Sequence, residues 1–222
     1  MHAMILAAGP GTRMGALTRS TPKPLLRVGG RPLLQFHLEA LALGGFRKVV
    51  INHSRLGIQI EAAFGSGAPF GLNITYSAEG DEPLETAGGI RRALALLGDG
   101  PFLVVNADVW TDFSFASLAF RVPVAAHIVL VPNPDHHPQG DFGLDGTQVT
   151  ESGTPQLTYS GIGVVHPRLF QHLEDGRASL APLLRDAIRQ GRVTGECFNG
   201  QWFDIGTPDR LNRLDQALRH LS

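Results

Sequence analysis

Two short stretches near the start of the sequence carry residue types suited to holding phosphate. The first, Ala8-Gly9-Pro10-Gly11-Thr12-Arg13, directly follows an apolar run. Glycines let backbone N–H groups approach phosphate oxygens closely, and an arginine adds a planar, multiply donating cation. Position 14, where a dinucleotide fingerprint requires glycine, is Met14, and the Gly-Lys-Ser/Thr ending of a P-loop is absent. Taken alone, the loop is equally a tight turn. The second stretch, Pro22-Lys23-Pro24, holds one of only two lysines in the chain, against 17 arginines. Prolines on both sides stiffen the backbone and discourage helix. A rigid frame around a rare residue, close after a glycine loop, favours a point charge on phosphate over a solvated surface lysine.

Two aspartates extend the pattern. Asn106-Ala107-Asp108 ends the apolar run Phe102-Leu103-Val104-Val105. In an open α/β sheet ligands collect outside the carboxyl ends of the strands, which puts Asp108 where chemistry happens; the alternative is a turn or cap. Asp204 stands between bulky apolar residues in Trp202-Phe203-Asp204-Ile205-Gly206-Thr207-Pro208. It could cap the last helix, although Thr207 suits that position better.

The elements that must position these residues follow from hydrophobic periodicity. Met4–Ala8, Val49–Asn52, Asn73–Ser77 and Phe102–Asn106 read as strands, with helices over Leu33–Leu43, Gly57–Phe64 and Gly88–Leu97 between them. That alternation predicts an α/β fold in three layers, a mostly parallel sheet covered on both faces with a Rossmann-like nucleotide-binding half. Further strands are expected at Ala125–Val131, Asp141–Leu144, Gln156–Tyr159, Gly163–Val165, Val193–Phe198 and Trp202–Ile205. Helices are expected at Pro167–Leu173, Leu180–Gln190 and Pro208–Leu221. The reading is one domain over 1–222, its halves meeting near residue 120, with no linker and no hexapeptide repeat.

At these residues the sequence resembles the sugar-phosphate nucleotidyltransferases, which make nucleotide sugars from a nucleoside triphosphate and a sugar 1-phosphate. Leu6-Ala7-Ala8-Gly9-x-Gly11-Thr12-Arg13-Met14 and Pro22-Lys23-Pro24-Leu25 carry the resemblance. It implies that Lys23 and Arg13 are catalytic and that Ala8, Gly9, Gly11 and Thr12 help hold the nucleotide. It also implies that Asp108 and Asp204 share Mg²⁺, a hard cation that takes carboxylate and phosphate oxygens.

The segment Tyr76 to Gly89 resembles the family's base-recognition segment, with Glu79 where thymidylyl- and many uridylyltransferases carry Gln. A carboxylate there accepts from uracil N3–H, or from guanine N1–H and N2–H₂. Gly88 and Gly89 would admit a base close to the backbone, or merely form a turn into a helix. The family's usual Leu-Gly-Thr-Ala is here Leu84-Glu85-Thr86-Ala87. That change, with Asn133-Pro134-x-His136-His137 and Gly140-Asp141-Phe142, resembles the branch acting on N-acetylmuramic acid α-1-phosphate. By that likeness Glu85, Asn106, Asp141, Ser160 and Gly161 lie at the sugar, while Asp141 on its own chemistry is equally a turn carboxylate. The family's second lysine toward the sugar phosphate has no counterpart, since no lysine follows Lys48.

Composition narrows the function classes. Nineteen Lys+Arg against 20 Asp+Glu give a net charge of −1, without the basic excess of a nucleic-acid binder. Any anionic ligand is then held by local arrangement. Cys197 is the single cysteine, excluding a disulfide framework or an all-cysteine metal site. The opening apolar run is too short for a signal peptide, and no stretch is long enough to span a membrane. The expectation is a cytoplasmic enzyme, monomeric or weakly self-associating, whose partners are UTP and a sugar 1-phosphate. Two rivals are a guanylyl or other nucleotidyl transferase and a non-catalytic nucleotide-binding domain.

Overall fold

The apolar runs singled out above become strands, those at the centre of the sheet buried on both sides, and the computed structural model describes residues 1–220. The first half contains β1 (His2–Leu6), β2 (Arg27–Val28), β3 (Arg31–Pro32), α1 (Leu33–Leu43), β4 (Lys48–His53) and α2 (Gly57–Phe64). β5 (Asn73–Ala78), α3 (Glu85–Leu97), β6 (Phe102–Asn106) and β7 (Val109–Thr111) follow. The second half contains β8 (Ala126–Val131), β9 (Phe142–Asp145), β10 (Gln148–Thr150), β11 (Gln156–Val165) and α4 (Leu180–Arg189). It closes with β12 (Val193–Cys197), β13 (Trp202–Asp204) and α5 (Pro208–His220); the expected helix end at Leu221 lies outside the described residues.

One nine-stranded sheet runs in the order β5-β4-β1-β6-β11-β8-β12-β10-β9. β5, β4, β1 and β6 are parallel, as the strand-helix alternation requires. β11 enters antiparallel between β6 and β8, so the second half of the sheet is mixed. Ala3 and Ile5 of β1 face Leu34, Leu38 and Leu41 of α1 and Ile60 of α2. Met4 points the other way, toward Ile90 and Ala93 of α3 and Leu184 of α4. Successive strand residues alternate faces, so the sheet separates two cores and the layers number three. Each fully buried Leu or Ile contributes roughly 1.5–3 kcal/mol. Among the described residues no helix is long and apolar enough to cross a membrane.

Two expectations need correction. Gln156–Tyr159 and Gly163–Val165 form a single strand, whose register shifts between Tyr159 and Ile162. Ser160 and Gly161 form the bulge there; Gly161 takes φ +78°, a conformation glycine adopts without strain. Pro167–Leu173 is not a full helix but a single 3₁₀ turn over Pro167–Phe170.

Strand registry decides where the site lies. Leu6 pairs with Asn52 on one side and with Asn106 on the other, so β4, β1 and β6 end level. Beyond that edge β7 and β13 form a separate two-stranded ladder in which Asp204 faces Val109.

Candidate active site

At the level edge of β4, β1 and β6 the backbone leaves the sheet, and side chains take over its hydrogen bonds. The N–H of Ala7 donates to Asn52 Oδ1 at 2.8 Å, and Ser54 Oγ donates to the Ala8 carbonyl at 2.7 Å. The glycine loop is thereby hung from the end of β4. Gly11 takes φ +63°, and a Cβ there would lie 3.1 Å from Thr18 Cγ2 and 3.5 Å from Lys23 Cβ. Met14, the residue that breaks the dinucleotide fingerprint, is buried with Leu33, Leu211 and Leu214. It anchors the far end of the loop in a core built from α1 and α5.

Lys23 sits in a single 3₁₀ turn, Lys23–Leu25, with Pro24 in its first turn. Its Nζ lies 2.7 Å from Asp108 Oδ2; the lysine is nearly buried, while about a third of the aspartate side chain stays exposed. A cleft of about 380 Å³ opens over this pair. Ala8, Gly9, Gly11, Thr12, Arg13, Lys23, Glu79, Glu85, Asn106 and Asp108 all line it. The glycine loop, the proline-framed lysine, the strand-end aspartate and the carboxylates of Glu79 and Glu85 thus share one cavity.

Glu79 is buried and built into the wall. Asn52 Nδ2 donates to its Oε1, and the Leu84 N–H donates to its Oε2 at 2.7 Å. Gly89 makes room for this arrangement, since a Cβ there would stand 2.3 Å from Glu79 Oε1. Each carboxylate oxygen keeps a second lone pair for a ligand donor. Glu85 opens α3 with φ +59°, a left-handed conformation that costs a non-glycine residue about 1–2 kcal/mol. It occupies the place of the family's glycine, and its Oε1 accepts from Arg177 Nε at 2.7 Å.

Five expected site residues do not line the cleft: Gly88, Ser160, Gly161 and Asp141, and the predicted metal ligand Asp204. A Cβ on Gly88 would lie 2.2 Å from the Gly176 carbonyl oxygen, so this glycine admits the loop before α4 rather than a base. Ser160 is fully buried; its hydroxyl donates to the Val129 carbonyl at 2.7 Å and accepts from the Ile162 N–H at 3.2 Å. Gly161 leaves space for Asn106, whose Nδ2 is 2.6 Å from where a Cβ would be. Asp141 accepts from the Tyr159 N–H at 2.8 Å and lies 3.1 Å from His137 Nε2, tying a loop to β11. Of these first four only Gly161 packs against Asn106, and none belongs to the cavity lining.

The metal-ligand pair can be tested on its own chemistry. The Ile205 N–H donates to the Asp108 carbonyl at 2.8 Å, so Asp108, in the turn before β7, and Asp204, at the end of β13, root side by side although 96 positions apart. Thr207 Oγ1, not Asp204, accepts the Arg210 N–H at the start of α5. The Asp204 carboxylate instead accepts from Arg210 Nη1 and lies 3.2 Å from His136 Nε2. It is turned aside from the cleft lining, while each carboxylate has a cationic partner. Of the two, only Asp108 opens on the cavity, where its carboxylate fits Mg²⁺, a cation that takes one or two carboxylates and completes its shell with substrate oxygens and water; Asp204 is held by Arg210 just outside the lining.

Residues 2–151 match the nucleotidyl transferase family. The chain belongs to that family. It is 50% identical, over 98% of both chains, to the N-acetylmuramate alpha-1-phosphate uridylyltransferase of Neisseria meningitidis. It is 34% identical to the protein of that name from Caulobacter vibrioides, over 93% of this chain and 92% of the relative. A solved UDP-glucose pyrophosphorylase bound to UDP-glucose covers the whole chain with a TM-score of 0.81 at 17% identity, a likeness of fold. The family's glycine loop and lysine are the stretches that meet in the cleft.

Asn52, Arg177 and Arg210 emerge only from the structure. Asn52 carries a sequence signal, a polar residue closing an apolar strand as Asn106 does. The two arginines carry none among 17 of their kind.

Proposed function

We propose that the protein transfers UMP from UTP to N-acetylmuramic acid α-1-phosphate, releasing pyrophosphate and UDP-N-acetylmuramic acid. The observation that carries this reading is the near full-length identity of 50% to an enzyme of that name, joined to a cleft that gathers Arg13, Lys23 and Asp108. In this reading the product returns a cell-wall sugar to the nucleotide-sugar pool of the cytoplasm.

An oxygen of the sugar 1-phosphate attacks the α-phosphorus of UTP in line, and the bond to the pyrophosphate oxygen breaks. The nucleophile is already ionised, so no general base is required; catalysis is positioning plus charge neutralisation. Backbone N–H groups of Gly9 and Gly11 and the Arg13 guanidinium hold the departing β- and γ-phosphates. The Lys23 ammonium neutralises charge growing at the reacting phosphate. Asp108 and Asp204 would hold Mg²⁺, which would offset the repulsion between the two phosphate groups. Glu79 takes the base, held by Asn52 and Leu84, and Glu85 and Asn106 take the sugar.

Incubation with Mg²⁺, N-acetylmuramic acid α-1-phosphate and either UTP or GTP tests the reading. UDP-sugar and stoichiometric pyrophosphate with UTP, and little turnover with GTP, are expected. Preference for GTP with a neutral hexose 1-phosphate would replace it by guanylyl transfer.

A further inference from the structure

Three cationic side chains line the cleft: Arg13, Lys23 and Arg177. Arg13 belongs to the glycine loop and Lys23 is paired with Asp108. Arg177 comes from a different part of the molecule, the loop leading into α4. That loop is fixed by its backbone. The Ala87 and Gly88 N–H groups both donate to the Ala178 carbonyl, at 2.9 and 3.1 Å, and the Ala178 N–H donates to the Leu84 carbonyl at 3.0 Å. The missing side chain of Gly88 allows the close approach of Gly176. Arg177 is thus carried to the start of α3 on a backbone clamped on both sides of it.

Its side chain is oriented as well. Nε donates to Glu85 Oε1 at 2.7 Å, while Nη1 and Nη2 have no partner among the described residues. Glu85 holds a left-handed φ in making this contact. A guanidinium anchored through Nε presents its two terminal nitrogens as a fork, the geometry that takes a carboxylate with two parallel hydrogen bonds. In the uridylyl-transfer reading the glycine loop and Arg13 take the triphosphate, and Lys23 takes the reacting phosphate. What the acidic sugar still lacks is a counterion for its lactyl carboxylate.

We propose that Arg177 is that counterion: it binds the 3-O-lactyl carboxylate of the acceptor through Nη1 and Nη2, with Glu85 positioning it through Nε. Arg177 is then a specificity residue for an acidic over a neutral sugar 1-phosphate. The inference rests on the uridylyl-transfer reading and adds to it the group that tells the two sugars apart.

The test compares N-acetylmuramic acid α-1-phosphate with N-acetylglucosamine α-1-phosphate, the same sugar without the lactyl ether, as acceptors of UMP. Arg177→Gln is expected to lower kcat/KM for the acidic acceptor by about 10- to 100-fold, the scale of a charged hydrogen-bonded contact, chiefly through KM. For the neutral acceptor it is expected to stay within about 3-fold, and Arg177→Lys is expected to restore part of the loss. Thermal melting of both variants checks that the fold is intact. Equal losses on both acceptors, or no loss on the acidic one, would overturn the role of Arg177 while leaving uridylyl transfer standing. Failure of the unsubstituted protein to use the acidic acceptor at all would overturn both.

Discussion

The Lys23 ammonium lies 2.7 Å from the Asp108 carboxylate, joining a proline-framed turn near the start of the chain to a strand end 85 residues later. Lys23 is buried beneath the cleft and Asp108 partly open to it. Such a pair holds its charges in place before substrate arrives. Fixed charges at a transferring phosphate need no reorganisation during the reaction, which is where most electrostatic catalysis originates.

Lys23→Ala is therefore expected to lower turnover by at least ~10²-fold, comparable with the loss of one oxyanion donor. Lys23→Arg should rescue little, because a larger planar guanidinium does not take the place of the nearly buried, compact ammonium beside Asp108. Steady-state pyrophosphate release measures both. Near-normal turnover of the alanine variant would remove Lys23 from the mechanism.

If Asp108 and Asp204 together hold Mg²⁺, each Asp→Asn change should raise the Mg²⁺ concentration needed for half-maximal rate by about 10- to 100-fold, since a neutral amide ligates the hard cation less well. Titrating Mg²⁺ at saturating UTP gives the number. Unchanged half-saturation in Asp204→Asn would show that its contact with Arg210 is its whole role.

The parts of the site legible in the sequence are those whose meaning is local. Gly9 and Gly11 after a strand, Lys23 between prolines and Asp108 at a strand end each announce a backbone geometry, and all four line the cleft. Gly88, Ser160, Gly161 and Asp141 were expected at ligand, yet their surroundings are set by tertiary packing: the loop before α4, the bulge in β11, the amide of Asn106. The parallel strand-helix alternation was readable for the same local reason. The antiparallel insertion of β11 was not, because strand order follows from which sheet edge remains unpaired rather than from any residue of the strand.

Gly88 and Gly89 make the distinction measurable. Alanine at 88 would meet a backbone oxygen at 2.2 Å, which moves only with the loop carrying Arg177; alanine at 89 would meet Glu79 at 2.3 Å. Both are expected to cost about 1–3 kcal/mol of stability in urea denaturation, the usual penalty of overpacking. Their effects on substrates should divide: Gly89→Ala raises KM for UTP through Glu79, and Gly88→Ala raises KM for the sugar phosphate. An identical KM profile for the two would contradict the assignment of separate walls.

His37 of α1 gives a pH prediction. Burial drives its pKa down from 6.5 to about 4, against the opposing pull of a hydrogen bond to the Val109 backbone and the charge of Asp108. His127 is shifted in the same direction, again mainly by burial. A depressed folded pKa means that between pH 6.5 and 4 the unfolded chain binds a proton that the folded chain refuses. Stability is then complete above about pH 6.5 and falls as the pH drops toward 4, with His37 accounting for about 3 kcal/mol. Below pH 4 the folded state takes up the proton too, and this contribution changes no further. Urea denaturation at intervals from pH 7 to 4 should show the decline, and His37→Leu should remove its share, leaving what His127, His2 and His166, all shifted in the same direction, contribute. A profile equally steep in the leucine variant would mean that the buried imidazole is not its source.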